Sequence, residues 1–185
     1  SPARTFVNNW MTAEGGHDGK NHIGPEIGIG YYVGHVTDAP VMILKSCIGN
    51  RSLGWDLLPP GSEPYEFGGK TVPGYRGTPD DPKGNGQPVH GKWYAGCQYD
   101  GDTAAAKQVL SQLNKYYPGA TRFQVAGFFF WQGDKDFRNG AHAANYEKNL
   151  VNLVKDVRKD LDVPNLPFVI AAIGTSGSKP AQGGQ

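Results

Sequence analysis

The most pronounced apolar run in the chain covers residues 125–131 and ends abruptly in polar residues. A run of this length, rich in aromatic side chains and bounded by turn residues, is typical of a strand buried on both faces of a parallel sheet. The residues that follow it, from Gln132 to Asp136, are polar apart from one glycine. Ligands of open parallel sheets bind at the carboxyl ends of the strands. We therefore expect the chemistry of this protein directly after residue 131.

Two shorter apolar runs, residues 41–45 and 168–173, predict further strands. Like the first run, each is followed by small or polar residues. Helical patterns separate the three runs, and a helix that connects two strands of one sheet implies a parallel crossover. We therefore expect the three strands to be parallel neighbours or near-neighbours, with the loops after them at one edge of the sheet.

The first helix signal lies at Pro25 and Glu26, which suit the first turn of a helix. Its inner stripe would contain Ile27, Tyr31 and Val33. Several glycines interrupt this stripe, and they indicate close packing of the helix against a strand.

Two later helices have stronger patterns. One is expected over residues 103–117, where Thr103 offers an N-terminal cap and Pro118 ends the helix. The other, over residues 141–161, carries the most regular apolar stripe in the chain, which consists of Tyr146, Leu150, Leu153, Val154, Val157 and Leu161.

A long loop-like segment, residues 54–100, holds half of the prolines and many of the glycines. A loop of this length inside a compact domain is usually functional or disordered. Aromatic residues are spread along the segment, which argues against disorder: Trp55, Tyr65, Phe67, Tyr75, Trp93 and Tyr94. We expect a packed excursion over the sheet.

The order of these elements predicts an α/β fold, a three-layer sandwich with a parallel sheet. The 185 residues correspond to one domain. An open sheet whose chain begins with a helix usually has a strand before it, and no such strand occurs in this sequence. We therefore expect residues 1–185 to form a partial domain.

Charge and composition narrow the possible functions. The formal net charge is +1, which favours neither nucleic acid nor an anionic membrane as a partner. No apolar run approaches the ~20 residues of a membrane-spanning helix. Cys47 and Cys97 lie far apart and outside any C-x-x-C pattern, so a disulfide between them is possible and a zinc site is not supported. Gly28 and Gly30 begin like a dinucleotide fingerprint, but the third glycine comes one residue late and no strand precedes it. No cofactor is expected.

Gly49 and Gln132 are the main candidates for catalysis. Each lies just past the end of a predicted strand, where a backbone N–H and a side-chain amide could donate to one oxygen atom. Two such donors aimed at a developing oxyanion are central to acyl transfer. The alternative is that Gln132 caps a loop and Gly49 forms a turn. Residues 50–54, N-R-S-L-G, differ from the G-x-S-x-G pattern only at Asn50, but the strand-to-helix turn that this pattern requires around Ser52 is missing.

Three motifs carry a resemblance to a known family. They are W-Q-G-D-x-D at residues 131–136, I-G-P-E at residues 23–26 and K-S-C-I-G-N at residues 45–50. With them, the chain resembles the sialate O-acetylesterase-like family, a branch of the SGNH hydrolases related to carbohydrate acetylesterases. The resemblance covers most of residues 23–173 and implies a flavodoxin-like sandwich.

The resemblance implies hydrolysis of carboxylic esters by a Ser-His-Asp triad, with acetylated carbohydrates as substrates. In the family pattern, the residues that match Gly49 and Gln132 help to form the oxyanion hole. The acidic residue after W-Q-G is Asp134, to which we assign an orienting role in its loop. Asn50 and Arg51 are the candidates for substrate binding.

Two blocks of the family pattern are absent from this sequence. One is the G-Q-S-N block with the nucleophile, and the other is the D-x-x-H block with the acid and the histidine. We therefore expect the nucleophile and the triad histidine outside this chain, and the chain alone to be inactive and poorly soluble. The alternative is a non-catalytic carbohydrate-binding domain of the same fold, with aromatic residues of 54–100 stacked on sugars.

Overall fold

The computed structural model describes residues 24–84 and 93–173. Within these ranges, six helices and four short strands follow one another. In chain order they are α1 (Glu26–His35), β1 (Tyr65–Phe67), β2 (Lys70–Val72), α2 (Cys97–Ser111), α3 (Leu113–Tyr116), β3 (Phe128–Phe130), α4 (Asp134–Phe137), α5 (Gly140–Ala144), α6 (Tyr146–Asp160) and β4 (Phe168–Ile170).

A parallel pair, β3 and β4, forms one of the two small sheets in the described residues. Phe128 is paired with Phe168 and Phe130 with Ile170, and the rings of Phe128 and Phe168 stack with 4.8 Å between their centroids. The parallel pairing confirms the prediction for residues 125–131 and 168–173, although only three residues of each run form ladder bonds. The fold is therefore of mixed α/β type with a small parallel sheet.

The sheet buries one face in the described part of the chain, not both. Phe130 is 7% exposed, whereas its neighbour Phe129 is 48% exposed and the register partner of Phe129, Val169, is 50% exposed. Successive side chains of a strand point to opposite faces, so Phe129 and Val169 share the uncovered one. The expectation of burial on both faces was wrong here, because the core cluster packs against the face that carries Phe128 and Phe130.

Helix α6 supplies the other half of the core. Leu153 and Val157 are each 3% exposed and pack in one cluster with Phe130, Leu53 and Leu166. These contacts confirm the apolar stripe predicted for residues 141–161.

The predicted helix is divided at Asn145, whose backbone is not helical (φ −112°, ψ 9°). Asparagine competes with helical hydrogen bonding through its own side chain, and here it donates to Asn149. The side chain of Asn139 caps the short α5 by accepting from two backbone N–H groups.

Helix α2 begins at Cys97 rather than near Thr103. The backbone N–H groups of Gln98 and Tyr99 donate to the carbonyl oxygen of Asp56 at 3.0 and 3.3 Å. A distant carbonyl thus satisfies orphan donors of the first turn, which the local sequence does not reveal. The hydroxyl of Thr103 is no cap, since it donates to the carbonyl of Tyr99 inside the helix.

Residues 41–45 form no strand, which corrects the prediction of a third parallel strand. Val41 and Met42 are both 41% exposed, and no ladder bonds pair this segment with another in the described residues. Helix α1 forms as expected, but Tyr31 is 61% exposed and a Cβ atom at Gly28 would meet nothing within 4 Å. The expected packing of α1 against a strand is therefore not found among the residues that the structure describes.

The described part of the excursion 54–100 is packed, as expected. An antiparallel hairpin of β1 and β2 turns through Gly68 and Gly69, whose φ values of 58° and 75° suit a tight two-residue turn. Backbone hydrogen bonds tie the segment to itself, for example from Tyr75 to Ser62 and from Arg76 to Ala95. Within the ranges that the structure describes, no helix has the length and apolar character of a membrane span.

We predict that two adjacent phenylalanines of β3 differ strongly in their effect on stability. Phe130→Ala should lower the free energy of unfolding by about 3–5 kcal/mol, because it leaves a cavity in the core. Phe129→Ala should cost about 1 kcal/mol or less, because half of the side chain already faces solvent. Urea unfolding of both variants measures the difference, and equal losses would contradict the burial described above.

Candidate functional site

The site consists of two loops that lie far apart in the sequence. The first loop is residues 49–54, and the second loop is residues 131–136. The side-chain amide of Gln132 donates to the carbonyl oxygen of Arg51 at 2.9 Å. Gly49 precedes Arg51 by two residues, so their Cα atoms are no more than about 7 Å apart. The two loops that carry Gly49 and Gln132 therefore meet.

The carboxylate of Asp136 joins the two loops. It is 1% exposed and accepts three hydrogen bonds: from the backbone N–H of Leu53 at 2.8 Å, from that of Gly54 at 2.7 Å, and from the amide of Gln132 at 2.6 Å. No arginine or lysine in the described residues forms an ion pair with it. Three N–H donors thus replace the water that the buried charge has lost.

Asp134, the residue to which an orienting role was assigned, has its side chain at the solvent-exposed surface of the second loop. Its side chain is 55% exposed and pairs with Arg138, one turn further along, at 3.1 Å. The hydrogen bonds that organise the second loop come from Asp136 instead. Asp134 and Asp136 are two positions apart on a helical turn, so their side chains point about 200° apart. Only one of the two aspartates can therefore face the first loop.

Both amide hydrogens of Gln132 have acceptors, Arg51 on one side and Asp136 on the other. Its backbone carbonyl accepts the hydroxyl hydrogen of Tyr146 at 2.7 Å. Burial raises the pKa of Tyr146 to about 12, and the negative charge of Asp136 adds to the shift. Tyr146 is therefore a hydrogen-bond donor throughout the neutral range, and it holds the strand end in place from the start of α6.

A second buried carboxylate, Asp56, organises the first loop from the other side. It is 5% exposed and accepts from Arg51 at 3.0 Å, from the indole N–H of Trp93 at 2.9 Å, and from the backbone N–H of Ser52 at 2.9 Å. The guanidinium of Arg51 lies 4.6 Å from the centroid of the Trp93 ring. Asn50 is exposed and has a φ of 60°.

Ser52 is 1% exposed, and its hydroxyl donates to Asp56 at 3.2 Å. A nucleophile needs an accessible oxygen and a base that takes its proton. The burial of Ser52 and its carboxylate partner suit a structural role.

His142 is a member of the site that the sequence did not indicate. Its side chain is 14% exposed, and Nδ1, a buried atom without a hydrogen-bond partner, lies 4.0 Å from Asp136. Burial lowers the pKa of His142, although the charges of Asp136 and Asp56 oppose the shift. A Cβ atom at Gly54 would lie 2.5 Å from the ring, so only glycine permits this close approach.

The described residues contain no group of three or more His, Cys, Asp or Glu side chains that could hold a metal ion. The arrangement offers amide and backbone donors around a buried carboxylate. In the structure each of these donors already has an acceptor, either Asp136 or the carbonyl oxygen of Arg51.

We predict that Asp136 and Asp134 differ in their contribution to stability. Asp136→Ala should lower the free energy of unfolding by about 3 kcal/mol or more, because it leaves two buried backbone N–H groups and one amide N–H without an acceptor. Asp134→Ala is the matched control, and it should change stability by about 0.5 kcal/mol, because its ion pair is exposed to solvent. Chemical denaturation of both variants tests this, and a small effect of Asp136→Ala would show that the loops do not depend on its carboxylate.

We also predict that His142 makes stability depend on pH. Its pKa in the folded chain lies below the ordinary value of 6.5, so between these two values the unfolded chain binds more protons. The stability that the neutral His142 side chain contributes is complete above pH 6.5. It is lost as the pH falls from 6.5 through the pKa that His142 has in the folded chain.

His142→Gln should remove this part of the dependence, whereas His35→Gln, which changes an exposed histidine on α1, should retain it. Unfolding of the three proteins in urea at about pH 7.5 and about pH 5.5 measures the effect. If His142→Gln lost as much stability on acidification as the unaltered chain, the titration would belong to another group.

Comparison with known proteins identifies the family of this chain. A family model described as carbohydrate esterase, sialic acid-specific acetylesterase matches residues 89–183, just over half of the chain. The matched stretch includes the second loop with Gln132 and Asp136, and it also includes His142 and Tyr146. No curated protein and no solved structure matches the chain. The match over W-Q-G-D-x-D and the helix behind it confirms the resemblance read from the sequence, and the chain belongs to the family of sialic acid-specific acetylesterases among the carbohydrate esterases.

Proposed function

We propose that this chain forms the oxyanion-binding side of a carbohydrate O-acetylesterase with an SGNH-type, flavodoxin-like three-layer fold. The observation that carries the proposal is the contact between the first and second loops, in which the Gln132 amide lies 2.9 Å from the carbonyl of Arg51. Membership of the esterase family supplies the class of reaction.

In this reaction, a serine hydroxyl attacks the carbonyl carbon of the acetyl group, and a histidine takes the hydroxyl proton. The carbonyl oxygen becomes an oxyanion, which accepts hydrogen bonds from the Gln132 amide and the Gly49 N–H. Collapse of this intermediate breaks the bond between the acetyl carbon and the sugar oxygen, and the departing oxygen takes the proton from the histidine and becomes a hydroxyl. Water then hydrolyses the acyl-enzyme and gives acetate.

Gln132 can serve an oxyanion only if one of its two present hydrogen bonds is exchanged. The bond to Asp136 is charge-assisted and therefore the stronger of the two, whereas the bond to the Arg51 carbonyl is between neutral groups. We assign the second amide hydrogen, now on Arg51, to the oxyanion. Asp136 then acts as the positioning residue that keeps the amide plane in place, the orienting role that the sequence assigned to Asp134.

The nucleophile and the triad histidine belong, in this proposal, to G-Q-S-N and D-x-x-H blocks outside this chain. Ser52 is a poor substitute because it is buried and donates to a carboxylate. Asn50 and Arg51 are assigned to the substrate. Asn50 is exposed beside Gly49, and the buried Nε of Arg51 has no hydrogen-bond partner.

A second candidate is a carbohydrate-binding domain without catalysis. The aromatic side chains of the excursion favour it, since Trp93 and three tyrosines are held there by carboxylates. Hydrolysis of acetyl esters by the natural full-length protein distinguishes the two candidate functions. A natural full-length protein that hydrolyses acetyl esters through a serine is an esterase, and one that lacks such turnover but binds carbohydrate is the alternative.

We predict that Gln132→Met in the natural full-length protein lowers kcat for 4-nitrophenyl acetate by ~10²–10³-fold, since it removes an oxyanion donor without a large change in side-chain volume. KM should change little, because the interaction develops in the transition state. Steady-state kinetics measure both constants. Gln112→Met, which changes an exposed glutamine after α2, is the matched control.

Gln132→Met also removes a tie between the two loops, so its urea midpoint is measured beside its kinetics. A folded variant with unchanged kcat would exclude Gln132 from the oxyanion hole. Ester hydrolysis by the 185-residue chain alone, abolished by Ser52→Ala, would instead locate the nucleophile in the first loop.

A further inference from the structure

His142 is a largely buried titratable side chain at the junction of the two loops, and the esterase mechanism above gives it no task. It lies beside Asp136, the carboxylate that aligns the Gln132 amide. We propose that His142 is a second positioning residue of the site. In its neutral form it leaves the Asp136 carboxylate to Gln132, and in its protonated form it draws the carboxylate away. The consequence for catalysis rests on the function proposed above.

The backbone around His142 is held from two sides. The side chain of Asn139 accepts from the backbone N–H groups of Ala141 and His142 at 3.1 and 3.2 Å. From the excursion, the hydroxyl of Tyr65 in β1 donates to the carbonyl oxygen of Ala141 at 2.7 Å. Helix α5 is thus tied both to its own cap and to the β1–β2 hairpin. The place of the His142 ring is therefore set by the surrounding fold.

The His142 ring lies against the first loop and close to Asp136. A Cβ atom at Gly54 would lie 2.5 Å from Cγ of His142, so the ring has no room to move in that direction. Its Nδ1 is buried, has no hydrogen-bond partner and lies 4.0 Å from Oδ1 of Asp136. Hydrogen bonds of this kind are about 2.7–3.2 Å long. A shift of about 1 Å is therefore enough to form one.

The two carboxylate oxygens of Asp136 have different partners. Oδ2 accepts from the Gln132 amide at 2.6 Å and from the N–H of Leu53 at 2.8 Å. Oδ1 accepts from the N–H of Gly54 at 2.7 Å, and it is also the oxygen nearest to His142. A carboxylate that shifts toward His142 moves Oδ2 away from Gln132. A proton on His142 therefore competes with the Gln132 amide for one carboxylate.

Protonation changes what His142 offers to Asp136. Both ring nitrogens of a protonated histidine are donors, and a donor that carries a charge forms the stronger hydrogen bond with a carboxylate. Burial lowers the pKa of His142, the charges of Asp136 and Asp56 oppose this shift, and the charge of Lys135 adds to it. His142 is therefore neutral at neutral pH and becomes charged in acidic solution.

The other elements that face Asp136 add no charge. The hairpin and α6 contribute phenols whose pKa is raised by burial and by the charge of Asp136, and these are Tyr65 and Tyr146. Both phenols stay protonated wherever a histidine titrates. The change of charge beside Asp136 in weakly acidic solution is therefore assigned to His142.

The test is NMR spectroscopy of the natural full-length protein with isotope-labelled glutamine and histidine, from about pH 7.5 to about pH 5.0, the range in which histidines titrate. The side-chain amide resonance of Gln132 is identified by its loss in Gln132→Met. We expect the Gln132 amide protons to move upfield in one step on acidification, because their bond to Asp136 lengthens. The midpoint of this step should equal the midpoint of the His142 ring in the same sample.

His142→Gln cannot titrate, so it should abolish the step of the Gln132 resonance. His35→Gln, at an exposed histidine on α1, is the matched control and should retain the step. Far-UV circular dichroism at each pH confirms that every variant is folded. His142→Phe, which keeps an aromatic ring beside Gly54, takes the place of His142→Gln if that variant does not fold.

Kinetics test the consequence for ester hydrolysis. The kcat of His142→Gln for 4-nitrophenyl acetate is divided by that of the unaltered protein at the same pH, which cancels the titration of the triad histidine that both share. This ratio should rise about tenfold between about pH 7.5 and about pH 5.0, a part of the ~10²–10³-fold that loss of an oxyanion donor costs.

The two measurements separate this proposal from the proposed function. A Gln132 step that follows His142 in a protein without esterase activity would support the positioning role and contradict the esterase alone. A Gln132 resonance that does not move while His142 titrates, a step that persists in His142→Gln, or a His142 ring that stays neutral throughout would overturn the positioning role. A constant kcat ratio in an active esterase would overturn its consequence for catalysis.

Discussion

The carboxylate of Asp136 is the constraint on which the site depends. It is a buried charge without an arginine or lysine partner in the described residues, and its solvation comes from the N–H groups of Leu53, Gly54 and Gln132. Loss of these donors would leave an ion in a medium of low dielectric constant, which costs several kcal/mol. Loss of the carboxylate would orphan buried donors. The geometry of both loops is therefore linked to one side chain, and Gln132 is aligned by the same bond that holds the loops together.

Carboxylates that accept several hydrogen bonds also order the excursion, residues 54–100. The carboxylate of Asp56 accepts hydrogen bonds from the backbone of Ser52, the side chain of Arg51 and the indole of Trp93. The backbone carbonyl of Asp56 accepts from the first turn of α2. Asp100 gathers two phenols in the same way. A segment rich in proline and glycine has little apolar surface with which to build a second core. Buried or half-buried carboxylates that accept several hydrogen bonds order it instead, and they leave a polar cleft between the aromatic rings.

The apolar core stabilises the end of β3, after which Gln132 follows in the chain. Leu153 and Val157 of α6 pack beneath Phe130, and Tyr146 at the start of α6 holds the carbonyl of Gln132. One helix thus supports both the strand and the residue that follows it. Apolar packing lies behind the site, and hydrogen-bonded carboxylates lie within it. This combination suits an oxyanion hole. Such a site needs donors that do not move when charge develops.

The sequence by itself determined the features that depend on local pattern. The apolar stripe of α6 predicted a helix, and the aromatic run before Gln132 predicted a parallel strand. Both patterns follow from burial of the element in a core, whichever residues of the chain pack against it. The motif W-Q-G-D-x-D indicated the family. Only the tertiary structure decided which of Asp134 and Asp136 faces the first loop, because the motif contains both and their separation on a helical turn sends one of them to solvent. It also decided that residues 41–45 form no strand, since a strand exists only where a neighbour supplies hydrogen bonds. Likewise, α2 begins at Cys97 because the carbonyl of Asp56, distant in the chain, receives its first donors.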